Sequence, residues 1–159
     1  MPARRARRSS FGFTLVELLV VLVIIGITLG LATLNAIPSP RQDLENEAKR
    51  IALLLQLARD EAIVRNRLVA FEANSERYRF MVRGDTGWAP VTRDDLLRER
   101  SFKNPPLRLV LEPSGTGGPD MLRITFGREP VDRPFVLTLA SGANAVAIRA
   151  DGVGHFTVE

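Results

Sequence analysis

Few residues of this 159-residue chain have the type and spacing that catalysis requires. The only histidine is His155, and cysteine is absent, which excludes a thiolate nucleophile, a thiolate metal site and a disulfide framework. Asp85 and Asp94-Asp95 do not follow the spacing of a calcium loop, so they are interpreted as solvated loop carboxylates. The glycine-rich stretch 115–118 lacks the lysine of a phosphate loop. The sequence therefore predicts neither an enzyme nor a bound cofactor.

One carboxylate stands beside a long apolar segment. Glu17 is followed by an apolar run from Leu18 to Leu34. As a helix rising about 1.5 Å per residue, residues 13–35 would reach roughly 34 Å, enough to cross a hydrocarbon core of about 30 Å. A carboxylate inside such a span is costly unless it meets a cation. Alternatively, Glu17 lies at the membrane interface, where the dipole of a helix N-terminus favours it.

The flanks of the apolar run predict its orientation. Four arginines lie between Arg4 and Arg8, so the positive-inside rule keeps the N-terminus cytoplasmic and places the bulk of the chain on the other side. No small-residue cleavage site follows the run, so we expect it to be retained as an anchor. If residues 1–12 are removed, the remaining chain has 18 basic and 18 acidic residues. That neutral balance gives no support for binding a polyanion.

A second helix is predicted after a break at Pro38-Pro40. Ser39, Pro40 and Gln42 suit its start, and an apolar stripe at helical spacing extends it to about Arg67. The residues of that stripe are Leu44, Ala48, Ile51, Leu55, Ala58 and Ala62. The stripe fits either packing on the chain's own sheet or packing on the helix of another subunit.

From residue 68 onward, short runs of strand-forming residues alternate with turn signals. The predicted strands are Leu68–Glu72, Tyr78–Val82, Leu107–Glu112, Met121–Phe126, Phe135–Leu139, Val146–Ala150 and Val153–Val158. Asp151-Gly152 favours a hairpin between the last two. Because no later helical pattern follows, we predict an α+β fold in which a long N-terminal helix packs on an antiparallel β-sheet.

The motif Gly12-Phe13-Thr14-Leu15-Val16-Glu17-Leu18 resembles the type III signal and methylation motif of type IV pilins and type II secretion pseudopilins. The resemblance implies a pilin-like fold and a prepilin peptidase that cuts between Gly12 and Phe13 and methylates Phe13. It also implies that Glu17 pairs with the N-terminal amine of a neighbouring subunit. The implied segments are a leader at 1–12, a transmembrane and assembly helix at 13–37, an amphipathic helix at 38–67 and a periplasmic β-rich part at 68–159.

Later segments are similar to one subgroup of these proteins. Ala58-Arg59-Asp60-Glu61-Ala62-Ile63 and Arg67-Leu68-Val69-Ala70-Phe71 resemble the H-type minor pseudopilins and the FimT/FimU-type minor pilins, and Trp88-Ala89-Pro90 is closer to the former. The resemblance implies a structural subunit near the tip of a periplasmic pseudopilus, anchored in the inner membrane, that aids export of folded proteins across the outer membrane. Its implied partners are the prepilin peptidase, the major pseudopilin and the other minor pseudopilins.

Two alternatives stay open at this point. A minor pilin of a type IV pilus or DNA-uptake filament would carry the same motif and differ only in the machine it serves. A membrane-anchored binding protein would instead use its domain to capture a ligand or DNA. The candidate basic face for DNA comprises Arg77, Arg79, Arg83, Arg98, Arg100 and Lys103. Since the chain without its leader is neutral, no nucleic acid is expected as a partner.

Overall fold

The computed structural model describes residues 14–34, 39–92, 94–115 and 121–159. The chain divides into two compact units, Met1–Pro38 and Ser39–Glu159. Within the first unit, helix α1 covers Leu15–Leu34. The predicted break at Pro38-Pro40 includes Pro38, which lies outside the described residues.

Helix α2, Pro40–Val64, opens the second unit, and its start agrees with the prediction. The backbone N–H of Gln42 donates to Ser39 Oγ at 3.2 Å, so the serine caps one of the N–H groups that the helix leaves without a partner. Pro40 occupies the first turn, where its missing N–H costs no helical hydrogen bond.

The end of α2 comes before the predicted Arg67. Asn66 adopts a left-handed backbone with φ of 50°, which ends the helical path. The N–H of Asn66 then donates to the carbonyl of Ile63 at 3.2 Å, and the N–H of Arg67 donates to the carbonyl of Ala62 at 3.0 Å. These two bonds form a Schellman closure, which satisfies carbonyls at the helix end.

Nine strands follow in the described part of the second unit, including two short ones that the sequence did not predict, β3 and β4. The strands are β1 Val69–Ala73, β2 Arg77–Gly84, β3 Gly87–Pro90, β4 Arg100–Ser101, β5 Arg108–Glu112, β6 Leu122–Phe126, β7 Phe135–Ser141, β8 Asn144–Ala150 and β9 Phe156–Val158. They form two antiparallel sheets rather than one. The first has the order β3-β2-β1-β6 with β4 also paired to β2, and the second has the order β5-β7-β8-β9.

The hairpin predicted at Asp151-Gly152 joins β8 to β9, with Ala150 paired to Phe156. Its loop is longer than a two-residue turn, because Asp151 Oδ1 accepts hydrogen bonds from the N–H groups of Val153 and Gly154 at 2.8 and 3.1 Å. The last strand therefore begins at Phe156 rather than at Val153.

The core of the second unit lies where α2 meets both sheets. All six residues of the predicted stripe are buried. They join one hydrophobic cluster with Phe71, Tyr78 and Phe80 of the first sheet and with Leu137 and Ile148 of the second. The stripe therefore packs on the chain's own sheets, the first of the two arrangements that its spacing allowed.

Candidate assembly helix and outer sheet face

Helix α1 exposes apolar side chains on all its sides. Every residue from Leu18 to Ile25 is a large hydrophobic residue with an exposed side chain, and this run covers more than two helical turns. A helix that is apolar all round requires an apolar environment, either a large protein core or a membrane. An exposed apolar surface of this extent marks a site of contact.

Two polar groups of α1, the Thr28 hydroxyl and the Glu17 backbone N–H, form local hydrogen bonds. Thr28 donates its hydroxyl to the carbonyl of Ile24 at 2.8 Å, and the backbone N–H of Glu17 donates to Thr14 Oγ1 at 3.2 Å. Thr14 and Glu17 thus hold the N-cap and third positions of the helix, as in a capping box. The carboxylate of Glu17 is exposed and is the only charged group of α1.

The other residues predicted to act in processing and membrane insertion lie at or before the two ends of α1. Gly12 and Phe13, the predicted cleavage and methylation site, lie outside the described residues. Leu18 is an exposed residue of the first turns of α1, and Leu34 is the last residue of that helix. Within the described ranges, no helix meets the length and apolarity required to cross a membrane.

A second polar site lies on the first sheet, on the side away from α2. Arg79 and Arg83 belong to the candidate basic face, whereas the site as a whole was not predicted from the sequence. We name it the outer-face cluster; its members are Glu72, Arg79, Arg83, Trp88 and Arg123. The carboxylate of Glu72 accepts hydrogen bonds from Arg79 Nε and Arg123 Nε, each at 2.8 Å. The Glu72 side chain is 1% exposed. In the sequence, the only signal of this site is a charged residue at the end of an otherwise apolar predicted strand.

Two opposing effects act on the pKa of Glu72. Burial of the carboxyl would by itself raise the pKa, whereas hydrogen bonds and the charges of Arg123 and Arg79 lower it. The second effect prevails, so the pKa lies below the ordinary value of 4.5. Glu72 is therefore ionised at neutral pH and joins β1 to both of its neighbouring strands.

The candidate basic face is largely neutralised by local partners. Arg77 pairs with Glu99 at 3.0 Å and Lys103 pairs with Asp43 at 2.8 Å. Arg79 pairs with Glu72, and Arg100 donates to a backbone carbonyl. These partners leave few of the six cationic groups available to phosphates.

His155 lies in the loop before β9 rather than in the strand that was predicted for it. Its Nδ1 is 2.6 Å from Asp151 Oδ2, and this hydrogen bond, followed by one from the N–H of Val153, lowers the pKa of Asp151 to about 2. The pair closes an exposed hairpin loop. In the part of the chain that the structure describes, no group of three or more histidine or acidic side chains could hold a metal ion.

Solved structures share this fold. The minor pseudopilin EpsH of the type 2 secretion system of Vibrio cholerae matches with a TM-score of 0.58 at 16% identity, covering 74% of this chain and 96% of EpsH. The solution structure of E. coli GspH matches with a TM-score of 0.56 at 20% identity, covering 77% of this chain and 95% of that one. The predicted α+β, pilin-like fold is therefore confirmed, and the chain belongs to the pilin-like fold class.

Sequence comparisons identify the family. The model described as "Type II transport protein GspH" matches residues 47–154, and the "Prokaryotic N-terminal methylation motif" matches residues 7–33. "Type II secretion system protein H" of Pseudomonas aeruginosa is 34% identical over 91% of this chain and 93% of its own length. The protein of the same name from Aeromonas hydrophila is 34% identical over 59% of this chain and 52% of its own length. The chain belongs to the GspH family.

Proposed function

We propose that this chain is a minor pseudopilin of a type II secretion system, a structural subunit of the periplasmic pseudopilus that aids export of folded proteins across the outer membrane. The observation that carries the proposal is the 34% identity to type II secretion system protein H over 91% of the chain. The comparisons favour this machine over a type IV pilus. The contribution of the subunit is contact rather than catalysis, and its position is near the filament tip.

The proposed location is the inner membrane, with the second unit in the periplasm. The exposed apolar side chains of α1 support an anchor, since they lose contact with water either in lipid or against the helices of other subunits. The same helix first anchors the subunit in the membrane and then packs against other subunits, because a subunit enters the filament through its N-terminal segment. The proposed partners are the prepilin peptidase, the major pseudopilin and the other minor pseudopilins.

The mass of the N-terminal fragment tests this proposal. We expect protein isolated from its native membrane to lack residues 1–12 and to carry one added methyl group on Phe13. Protein from a strain without the prepilin peptidase is the control and should keep residues 1–12. A mature chain that begins at another residue in the wild-type strain would contradict the proposed processing and leave α1 as a simple anchor.

Glu17 is proposed to pair with the amine of Phe13 on a neighbouring subunit. We expect Glu17→Ala to insert in the membrane as well as the wild type, because a buried carboxylate is costly there. Incorporation into the pseudopilus should fall about tenfold, corresponding to about 1.4 kcal/mol for the lost ion pair. Crosslinking to the major pseudopilin measures incorporation.

The matched controls for Glu17 separate charge from helix capping. Glu17→Gln keeps the size of the side chain and the backbone N–H that donates to Thr14, so it should fail in incorporation like Glu17→Ala. Thr14→Ala removes the cap and keeps the charge, and it should incorporate nearly normally. Normal incorporation of Glu17→Gln would refute the pairing.

A further inference from the structure

The outer-face cluster is arranged along the first sheet in two rows. Arg79 and Arg123 are the direct cross-strand neighbours of Glu72 on β2 and β6. Arg83 is paired with Trp88 across β2 and β3. Successive residues of a strand point to opposite faces, so these side chains project away from the core that α2 covers. The cluster therefore faces the surroundings and is held by four strands.

Trp88 forms a fixed platform within the cluster. The Cζ atoms of Arg83 and Arg123 lie 5.7 and 5.5 Å from the centroid of the Trp88 ring. Both distances are within the range of cation–π contacts. Beneath this layer, Ala70 and Met81 are only 0% and 8% exposed although they lie on the face away from the core. Because Trp88 contacts both Arg83 and Arg123, the indole and guanidinium groups cover the sheet between the two rows.

The cluster carries an excess of positive charge. It holds three guanidinium groups and a single carboxylate, and that carboxylate is shared between Arg79 and Arg123. The side chains of these two arginines are 38% and 32% exposed. Among the described residues, Arg83 has no acidic partner, and its side chain is exposed. Guanidinium N–H groups therefore remain open to a ligand from outside.

We propose that the outer-face cluster is a docking site for a segment of a partner protein that carries two or more carboxylates. Guanidinium groups bind carboxylates through paired hydrogen bonds, and the fixed Trp88 ring offers apolar contact beside them. Tryptophan and arginine are also the residue types that dominate binding energy at protein interfaces. Because Arg123 is already held by Glu72 and by the Trp88 ring, binding costs little conformational entropy at these side chains.

The size of the charged area favours an acidic protein segment over nucleic acid. A nucleic-acid site neutralises many phosphates along an extended track. Here the neighbouring cations Arg77 and Lys103 are already paired with Glu99 and Asp43. The cluster itself offers only three guanidinium groups, which matches a short acidic segment rather than an extended phosphate track. The cluster lies entirely within the second unit and is independent of the assembly role proposed for α1.

Tryptophan fluorescence of the full chain in detergent tests the proposal, since Trp88 is the only tryptophan of the protein. The probe is an unlabelled peptide of about ten glutamates, which offers the carboxylates that arginine prefers. We expect a saturable change in Trp88 emission with this peptide and none with a glutamine peptide of equal length. Added salt should weaken the binding, because the contacts are exposed.

Two variants test whether the glutamate peptide binds at the outer-face cluster. Arg83→Gln should weaken the apparent affinity about tenfold. Lys49→Gln, which removes one charge from an exposed position of α2, should change the affinity less than about twofold. The proposal is overturned if the glutamate peptide leaves the emission unchanged, if both variants lose affinity equally, or if an oligothymidylate of the same length binds more tightly.

Discussion

Replacing Phe71 with alanine is expected to lower the free energy of unfolding of the second unit by about 3–5 kcal/mol. Phe71 is 1% exposed and lies on β1, the strand between β2 and β6. Its ring centroid lies 5.6 Å from that of Tyr78 and 5.4 Å from that of Phe80. The substitution removes both ring contacts and leaves a cavity beneath α2 that the surrounding strands close only in part.

Urea unfolding of the full chain in detergent measures this loss, with Trp88 emission as the signal from the same sheet. Leu53→Ala is the control, because Leu53 is 68% exposed on α2 and its truncation should change the free energy by less than about 0.5 kcal/mol. Equal losses in the two variants would show that the aromatic contacts do not stabilise the fold as the structure implies.

The second large effect is expected at Glu72. Glu72→Gln keeps the shape of the side chain and removes the charge that Arg79 and Arg123 share, so we expect a loss of about 2–4 kcal/mol near neutral pH. Two guanidinium groups would then adjoin a neutral amide that cannot satisfy both. Glu99→Gln is the matched control, since its partner Arg77 and its own side chain are both largely exposed, and it should cost less than about 1 kcal/mol.

The dependence on pH distinguishes this interaction from ordinary packing. The pKa of Glu72 is lowered in the folded state, so its stabilisation is fully present above the ordinary pKa of 4.5 and is lost as the pH falls through the folded value. The difference in unfolding free energy between the wild type and Glu72→Gln should therefore shrink in acid. A difference that stays constant from neutral to acidic pH would mean that the charge of Glu72 contributes nothing.

Short-range features of the chain could be predicted because their causes are local. The cap at Ser39 and the spacing of the stripe from Leu44 to Ala62 involve residues within a few helical turns, and the structure has both. The helix α2 ends earlier than predicted because Asn66 takes a left-handed conformation, which the spacing of the apolar residues does not reveal. The strand β3 was missed because its four residues are too few to show an alternation.

The position of Glu72 could not be predicted in the same way. In sequence it ends a predicted strand as an ordinary surface carboxylate, yet it is buried between two arginines. Arg79 is seven residues away, whereas Arg123 is 51 residues away and reaches Glu72 only because β6 pairs with β1. The residues near Glu72 in the sequence do not predict that β6 pairs with β1.

By itself, the sequence determined the apolar N-terminal helix, the amphipathic second helix with its buried face, and the processing motif that places the chain among pilin-like proteins. These follow from neighbouring residues, whose periodicity and capping act through local backbone geometry. Only the tertiary structure decided the division into two sheets and the charged, tryptophan-bearing outer face. Both depend on which distant strands pair, and that choice is made by the packing of the whole domain rather than by any single segment.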